Sequence, residues 1–242
     1  SQLWIKKEIV GAGPVAHRAI NNYINGAPWD QAAEDGDLAL NGAAMRISPV
    51  GLWRFDQPEA LARDVRTVSI VTHKHPDSIT AAHAIAASVS WVLQRTEIDA
   101  TTMCQHLAAS VGKESPLSTL LLEIPHWLEL PEDKALNRIA GDYPLFAKEG
   151  NFGVPVSAIP TALAAVYAFL RHPHDYLTTI ETTLRFGGDV DTVGAIAGAI
   201  CGAFNGVDAI PQHLRENVKD SYFMSTLAAD FYRAFLKSRN ES

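Results

Sequence analysis

Apolar residues recur along this chain at helical spacing, while strand-like alternation is scarce. Ile79, Ala82, Ala86, Val89 and Leu93 fall three or four positions apart and predict one buried helical stripe. Pro76 and Asp77 suit that helix's first turn. Ile159, Leu163, Val166 and Leu170 repeat the pattern, and Phe223, Leu227, Phe231 and Phe235 repeat it near the C-terminus. Turn-rich stretches at 26–36, 141–155 and 205–211 have the lengths of loops rather than of linkers between domains. With no fixed-period repeat and no low-complexity tract, residues 1–242 read as a single all-α domain of about nine helices.

The most informative stretch is GGDVDTVGAIAGAICGAFNG at 187–206. Asp189 and Asp191 stand two apart, with Thr192 behind them, where a glycine pair gives way to a helix-like run. Side chains so spaced at a helix entry can converge on one point and offer the hard oxygen ligands that Mg²⁺, Mn²⁺ or Ca²⁺ prefer. Taken alone, the D-x-D-T pattern is better read as a helix N-cap at Asp191 or Thr192. Gly194, Gly198, Gly202 and Gly206 then repeat every fourth residue with alanines between them, leaving one helix face almost bare for close packing. Such a ridge also resembles a membrane helix-dimer motif, but it is rich in Gly and Ala and short for a span. A central helix in a soluble all-helical domain is the expectation.

Composition agrees with that expectation. Nearly half of the residues are hydrophobic (47%), the net charge is −7, and no basic or acidic tail is present, so a broad nucleic-acid surface is not indicated. Cys104 and Cys201 both lie in apolar surroundings, which argues against a disulfide framework and for a reducing, cytoplasmic setting. SQLWIKKEIV has no signal-peptide layout. It also lacks an initiator Met, so further residues are expected upstream.

Two clusters are more polar than packing alone requires. In NGAAMRISPVGL at 41–52, Asn41 can both donate and accept, small neighbours such as Gly42 permit a ligand to approach closely, and Arg46 can pair with a carboxylate or phosphate. A plain Asn-Gly turn is the simpler alternative. In THKHP at 72–76, His73 and His75 could suggest zinc, but no cysteine is near. Hydrogen bonding, surface exposure or substrate contact is the better reading.

The order N-G-A-A-M-R-I-S-P-V-G-L, T-H-x-x-P, G-N-F-G-V-P-V-S-A-I-P-T-A-L and G-G-D-V-D-T-V-G-A-I-A-G-A, covering roughly residues 12–206, resembles the ADP-ribosylglycohydrolase family. The resemblance implies an all-α fold, a compact orthogonal multi-helix bundle. It implies an enzyme that removes ADP-ribose from a modified protein or related acceptor, usually with two Mg²⁺ ions, Mn²⁺ being the substitute. By the same resemblance, Asp189, Asp191 and Thr192 ligate metal, with Asp189 and Asp191 catalytic. Asn41, Gly42 and Met45 would line the ADP-ribose pocket, with His73 near the ribose or diphosphate.

The chain departs from the family pattern in one respect. The family opens with a glycine-rich helix bearing an acidic residue and then a T-D-D-T-like motif, which supply further metal ligands. No such pair precedes Asn41, and GAGPVAHRAINNYING at 11–26 resembles the segment that usually follows them. A non-catalytic ADP-ribose-binding or structural relative, in the manner of some lens crystallins, therefore stays open beside the hydrolase, as does a membrane-associated helical protein resting on the glycine ridge.

Overall fold

The structure is a computed structural model, and it describes residues 12–34, 36, 38–141 and 153–240. Among these are twelve α-helices and no strands, only isolated bridges. The helices are α1 (Pro14–Ile24), α2 (Ser48–Trp53), α3 (Pro58–Ile70), α4 (Pro76–Val92), α5 (Ala100–Val111) and α6 (Pro116–Trp127). They continue as α7 (Glu132–Ala140), α8 (Ala158–Arg171), α9 (Tyr176–Phe186), α10 (Val190–Asn205), α11 (Gln212–Asn217) and α12 (Ser221–Asn240). The all-helical expectation therefore holds. The number exceeds nine because short helices such as α2 and α11, of 6 residues each, carry too few positions to show a period. Most of the predicted loop at 141–155 lies outside the described residues.

Three helices, α4, α8 and α10, pack on one another at the centre. α2 and α3 lie against α4, α5 bridges α4 to α6, and α9 lies against α8 and α10. Small residues make this centre possible. Ala81, Ala82, Ala84, Ala86 and Ala87 on α4 are buried on several faces, and every residue of α8 from Ala158 to Leu170 is buried. Helix axes come closest where contact residues are small.

This centrality corrects the predicted stripe on α4. Ile79 is half-buried and Leu93 is 41% exposed, whereas Ala81, Ala84 and Ile85, off the stripe, are fully buried. A helix with neighbours on several sides is not amphipathic, so its period does not mark one buried face. The C-terminal stripe is also corrected. Phe223 is 63% exposed and Leu227 is exposed, while Phe231 and Phe235 lean edge-on against Trp53 at 5.3 and 5.8 Å between ring centroids. Only that last part of α12 meets the body of the protein through its aromatic rings.

The glycine ridge is half right. A Cβ on Gly194 would lie 3.3 Å from the Thr183 hydroxyl, and one on Gly198 would lie 3.1 Å from the Tyr176 hydroxyl, so both face α9 closely. At Gly202 no atom lies within 4 Å, and Gly206 stands beyond the helix as its C-cap. The ridge is thus a short helix-packing surface. No helix among the described residues is long and apolar enough to cross a membrane.

Candidate functional site

The site begins with a short extended strap, residues 153–157, that runs between two other segments and into α8. On one edge, the Val154 amide donates to the Gly187 carbonyl at 3.1 Å and the Asp189 amide donates to the Val154 carbonyl at 2.9 Å. On the other edge, the Asn41 amide donates to Val156 at 3.1 Å and the Ala158 amide donates to Ala39 at 2.8 Å. Isolated bridges pair Val154 with Gly188 and Leu40 with Ser157. Gly187 and Gly188 turn the chain into α10 with φ of 68° and 74°, a region that side-chain-bearing residues seldom occupy.

Three distant segments are thereby laid side by side, and Asn41 reaches Asp189. Asn41 Nδ2 donates to Asp189 Oδ2 at 2.5 Å and lies 2.9 Å from the Thr161 hydroxyl oxygen. Thr161 in turn donates to the Pro155 carbonyl at 3.2 Å, which ties α8 to the strap. Ser78 Oγ donates to the Leu40 carbonyl at 2.8 Å, which ties the same corner to α4.

Asp189 occupies the N-cap position of α10, yet its side chain makes no capping bond. It faces inward to Asn41. Asp191 is exposed, and its Oδ1 accepts the Thr192 amide at 3.0 Å. Burial raises the Asp189 carboxyl above the usual carboxylate range, against the pull of the Asn41 hydrogen bond. Its hydrogen bond with Asp189, followed by the Thr192 amide, lowers Asp191. Thr192 is buried.

Asp189 and Asp191, whose carboxyls influence one another, and the Thr192 hydroxyl offer hard-oxygen donors of the kind that suits Mg²⁺ or Mn²⁺. Such juxtaposed acids favour an added positive charge. No third His, Cys, Asp or Glu joins them among the described residues.

The second cluster continues from the first. Gly42, next to Asn41, lies directly against His73: a Cβ there would sit 2.6 Å from both Cε1 and Nε2 of the ring. His73 is 6% exposed, and its Nδ1 lies 2.7 Å from the Thr72 hydroxyl. It borders a cleft of about 320 Å³ lined also by Val15, Arg18, Glu34, Leu38 and Lys74. Met45 is 49% exposed, one short turn beyond Asn41, to whose carbonyl its amide donates at 3.1 Å. His75 caps α4, its Nδ1 accepting the Asp77 amide at 3.1 Å. That occupation gives it a structural role in place of zinc ligation.

Burial, reinforced by the Arg46 charge, lowers the His73 pKa from 6.5 to about 4. A base depressed in the folded state contributes stability that is complete above its unfolded pKa and is lost as pH falls towards the folded one. The window runs from about pH 6.5 down to about 4, with a loss on the order of 3 kcal/mol. His83, lowered by burial, acts with the same sign. Between about pH 7 and 5, the melting temperature of His73→Gln is therefore expected to fall less steeply than that of the wild type. Parallel curves would remove His73 from this account.

The structure thus joins Asp189, Asn41, Gly42 and His73 into one continuous line of contacts, with Met45 and Asp191 at its margins. Sequence reasoning quoted the strap and Thr161 within one family motif but gave them no role, and it missed Ser78. The visible signal for Thr161 was a hydroxyl in the otherwise apolar run AIPTALAAV, where every neighbour is buried.

The profile of the ADP-ribosylglycohydrolase family matches residues 2–241, and the chain belongs to that family. It is similar to an uncharacterized protein of Archaeoglobus fulgidus, 28% identical over 227 residues, covering 93% of this chain and 68% of that one. The ADP-ribosyl-(dinitrogen reductase) glycohydrolase of Rhodospirillum rubrum is 27% identical over 209 residues, covering 86% and 60% respectively. ADP-ribosylhydrolase ARH3 of Homo sapiens is 25% identical over 214 residues, covering 82% and 59%. The chain therefore spans about three fifths of the length of those two hydrolases. A solved ADP-ribosylglycohydrolase-related protein complex aligns with a TM-score of 0.68 at 25% identity, covering 95% of this chain and 70% of that one.

Proposed function

We propose that this chain carries the ADP-ribose-binding face and part of the metal site of a hydrolase that releases ADP-ribose from a modified protein or related acceptor. The observation that carries the reading is the contact between Asn41 and Asp189, made across the strap, with Gly42 and His73 following immediately beyond it. Family membership supplies the substrate class. The cytoplasm is the compartment this reading assigns, and Cys104 and Cys201 are buried free thiols.

Asp189, Asp191 and Thr192 are the residues that would hold Mg²⁺ or Mn²⁺, with further ligands for a second ion expected outside this set. A divalent cation held there would supply Lewis acidity towards the ribose hydroxyls and the attacking water. The chain's own groups do the rest. Asn41 orients the Asp189 carboxylate, and the two carboxylates stabilise positive charge that develops at the anomeric carbon as the bond to the acceptor breaks. The water oxygen bonds to that carbon, and the acceptor nitrogen or oxygen leaves with a proton. Gly42, having no side chain, leaves room for the His73 ring, and His73 faces the ribose or diphosphate.

A binding-only relative is the second reading, favoured by the lack of a third acidic ligand among the described residues. Incubating the chain with an ADP-ribosylated protein and Mg²⁺ separates the two. Metal-dependent release of free ADP-ribose supports the hydrolase, retention of ADP-ribose without release supports the binding module, and a chain that neither releases nor retains ADP-ribose overturns the proposal.

A further inference from the structure

Arg46, in the short 3₁₀ turn at Ala44–Arg46, makes an unusual set of contacts. Its guanidinium donates to the Gly42 carbonyl at 2.7 Å, to the Thr72 hydroxyl at 2.5 Å and more distantly to the Val68 carbonyl at 3.4 Å. All three acceptors are neutral, so the group acts here as a fixed fork rather than as half of an ion pair. Two of them flank His73. Thr72 touches the ring at Nδ1, and Gly42 lies against its Nε2 edge.

The protons on this path can be followed. A guanidinium only donates, so Thr72 must accept from Arg46. Thr72 is buried, and its hydroxyl proton has one further polar neighbour among the described residues, His73 Nδ1 at 2.7 Å. A buried hydroxyl proton without an acceptor is costly. The hydroxyl therefore donates to Nδ1, and the ring's own proton sits on Nε2.

We infer that Arg46 and Thr72 are positioning residues: they lock neutral His73 in the Nε2–H tautomer, so that it donates a hydrogen bond to an oxygen of the ligand in the adjoining cleft. The relay stands on the contacts alone, whereas the identity of the ligand rests on the ADP-ribose reading. A neutral imidazole carries one N–H, so the choice of nitrogen decides whether the cleft meets a donor or an acceptor. Ribose and phosphoryl oxygens require a donor. The other charged and titratable groups around the ring, Arg18, Glu34, Lys74 and His75, line the same cleft that Thr72 and His73 border.

The relay is tested first without ligand, by long-range ¹H–¹⁵N correlation on the labelled protein, with the His73 signals assigned from their loss in His73→Gln. The Nε2–H tautomer is expected in the wild type and in Thr72→Ser, and a tautomer mixture in Thr72→Val. Arg46→Lys, which cannot hold Gly42 and Thr72 together, should also give a mixture and covers the case in which Thr72→Val fails to fold. An Nδ1–H wild type, or a tautomer indifferent to both variants, overturns the relay. Titration with ADP-ribose then tests the donor role. Thr72→Val is expected to bind about tenfold more weakly and Thr72→Ser to bind like the wild type, the loss of one hydrogen bond to a ligand. Relay-dependent tautomers together with no binding of ADP-ribose in any version would instead overturn the ligand assignment.

Discussion

Replacing Gly188, in the turn before α10, by alanine is expected to lower the melting temperature on the order of 10 °C, a far larger effect than any glycine-to-alanine change within α10. Gly188 has φ +74°, and a Cβ built there would lie 2.2 Å from the Val154 carbonyl oxygen and 2.6 Å from its nitrogen. Neither obstacle is a flexible side chain. Both belong to the strap whose hydrogen bonds deliver Asp189, so the overlap cannot be relieved without separating the segments. Left-handed strain adds about 1 kcal/mol or more, and overpacking adds roughly 1–3 kcal/mol. Gly202→Ala is the matched control. With no atom within 4 Å of its added methyl, it should stabilise the helix by about 0.5–1 kcal/mol. Thermal melts of the two variants check the pair, and equal shifts would contradict the packing described here.

The second large effect concerns Asp189 and has opposite signs for stability and for binding. In the presence of a chelator, Asp189→Asn is expected to be at least as stable as the wild type. The substitution relieves a half-buried carboxylate whose neighbour is Asp191, and it breaks no capping bond. A residue that served only as a cap would cost about 0.5–2 kcal/mol on removal and show no dependence on metal. With Mg²⁺ in excess, the wild type should gain stability by mass action as the cation binds the folded state. Asp189→Asn should gain almost none. Melting curves with chelator and with millimolar Mg²⁺ decide this, and an equal Mg²⁺ response in the two proteins would leave Asp189 a structural residue.

Much of the fold was legible because burial leaves a trace in composition. Helical periodicity identified the segments around Ala82 and Leu163 as helices, yet it misjudged which faces were covered. Alanine is small enough to be buried on any side, so Ala81 and Ala84 carry no mark of their position. Phe223 and Leu227 keep a perfect helical spacing and still face outward. Spacing records what one helix can offer, not whether another element lies opposite. At the site, Asp189 and Asn41 were singled out by residue type, but their hydrogen bond spans 148 positions. That closure depends on the strap, whose VPVS sequence has no period and whose bonds use backbone atoms that every residue possesses. His75 shows the converse. Its position beside His73 could suggest zinc, but hydrogen bonding was among the preferred readings, and it caps α4 by accepting the Asp77 amide.

The central claim is that Asn41 and Asp189 form one ligand site, so the most direct measurement is calorimetric titration of ADP-ribose in the presence of Mg²⁺ for the wild type, Asn41→Ala, Asp189→Asn and the double variant. The account predicts binding that weakens about tenfold or more in each single variant, with the double variant little worse than the worse single one, because contacting residues couple. Absence of ADP-ribose binding in the wild type, or losses that simply add in the double variant, would contradict it.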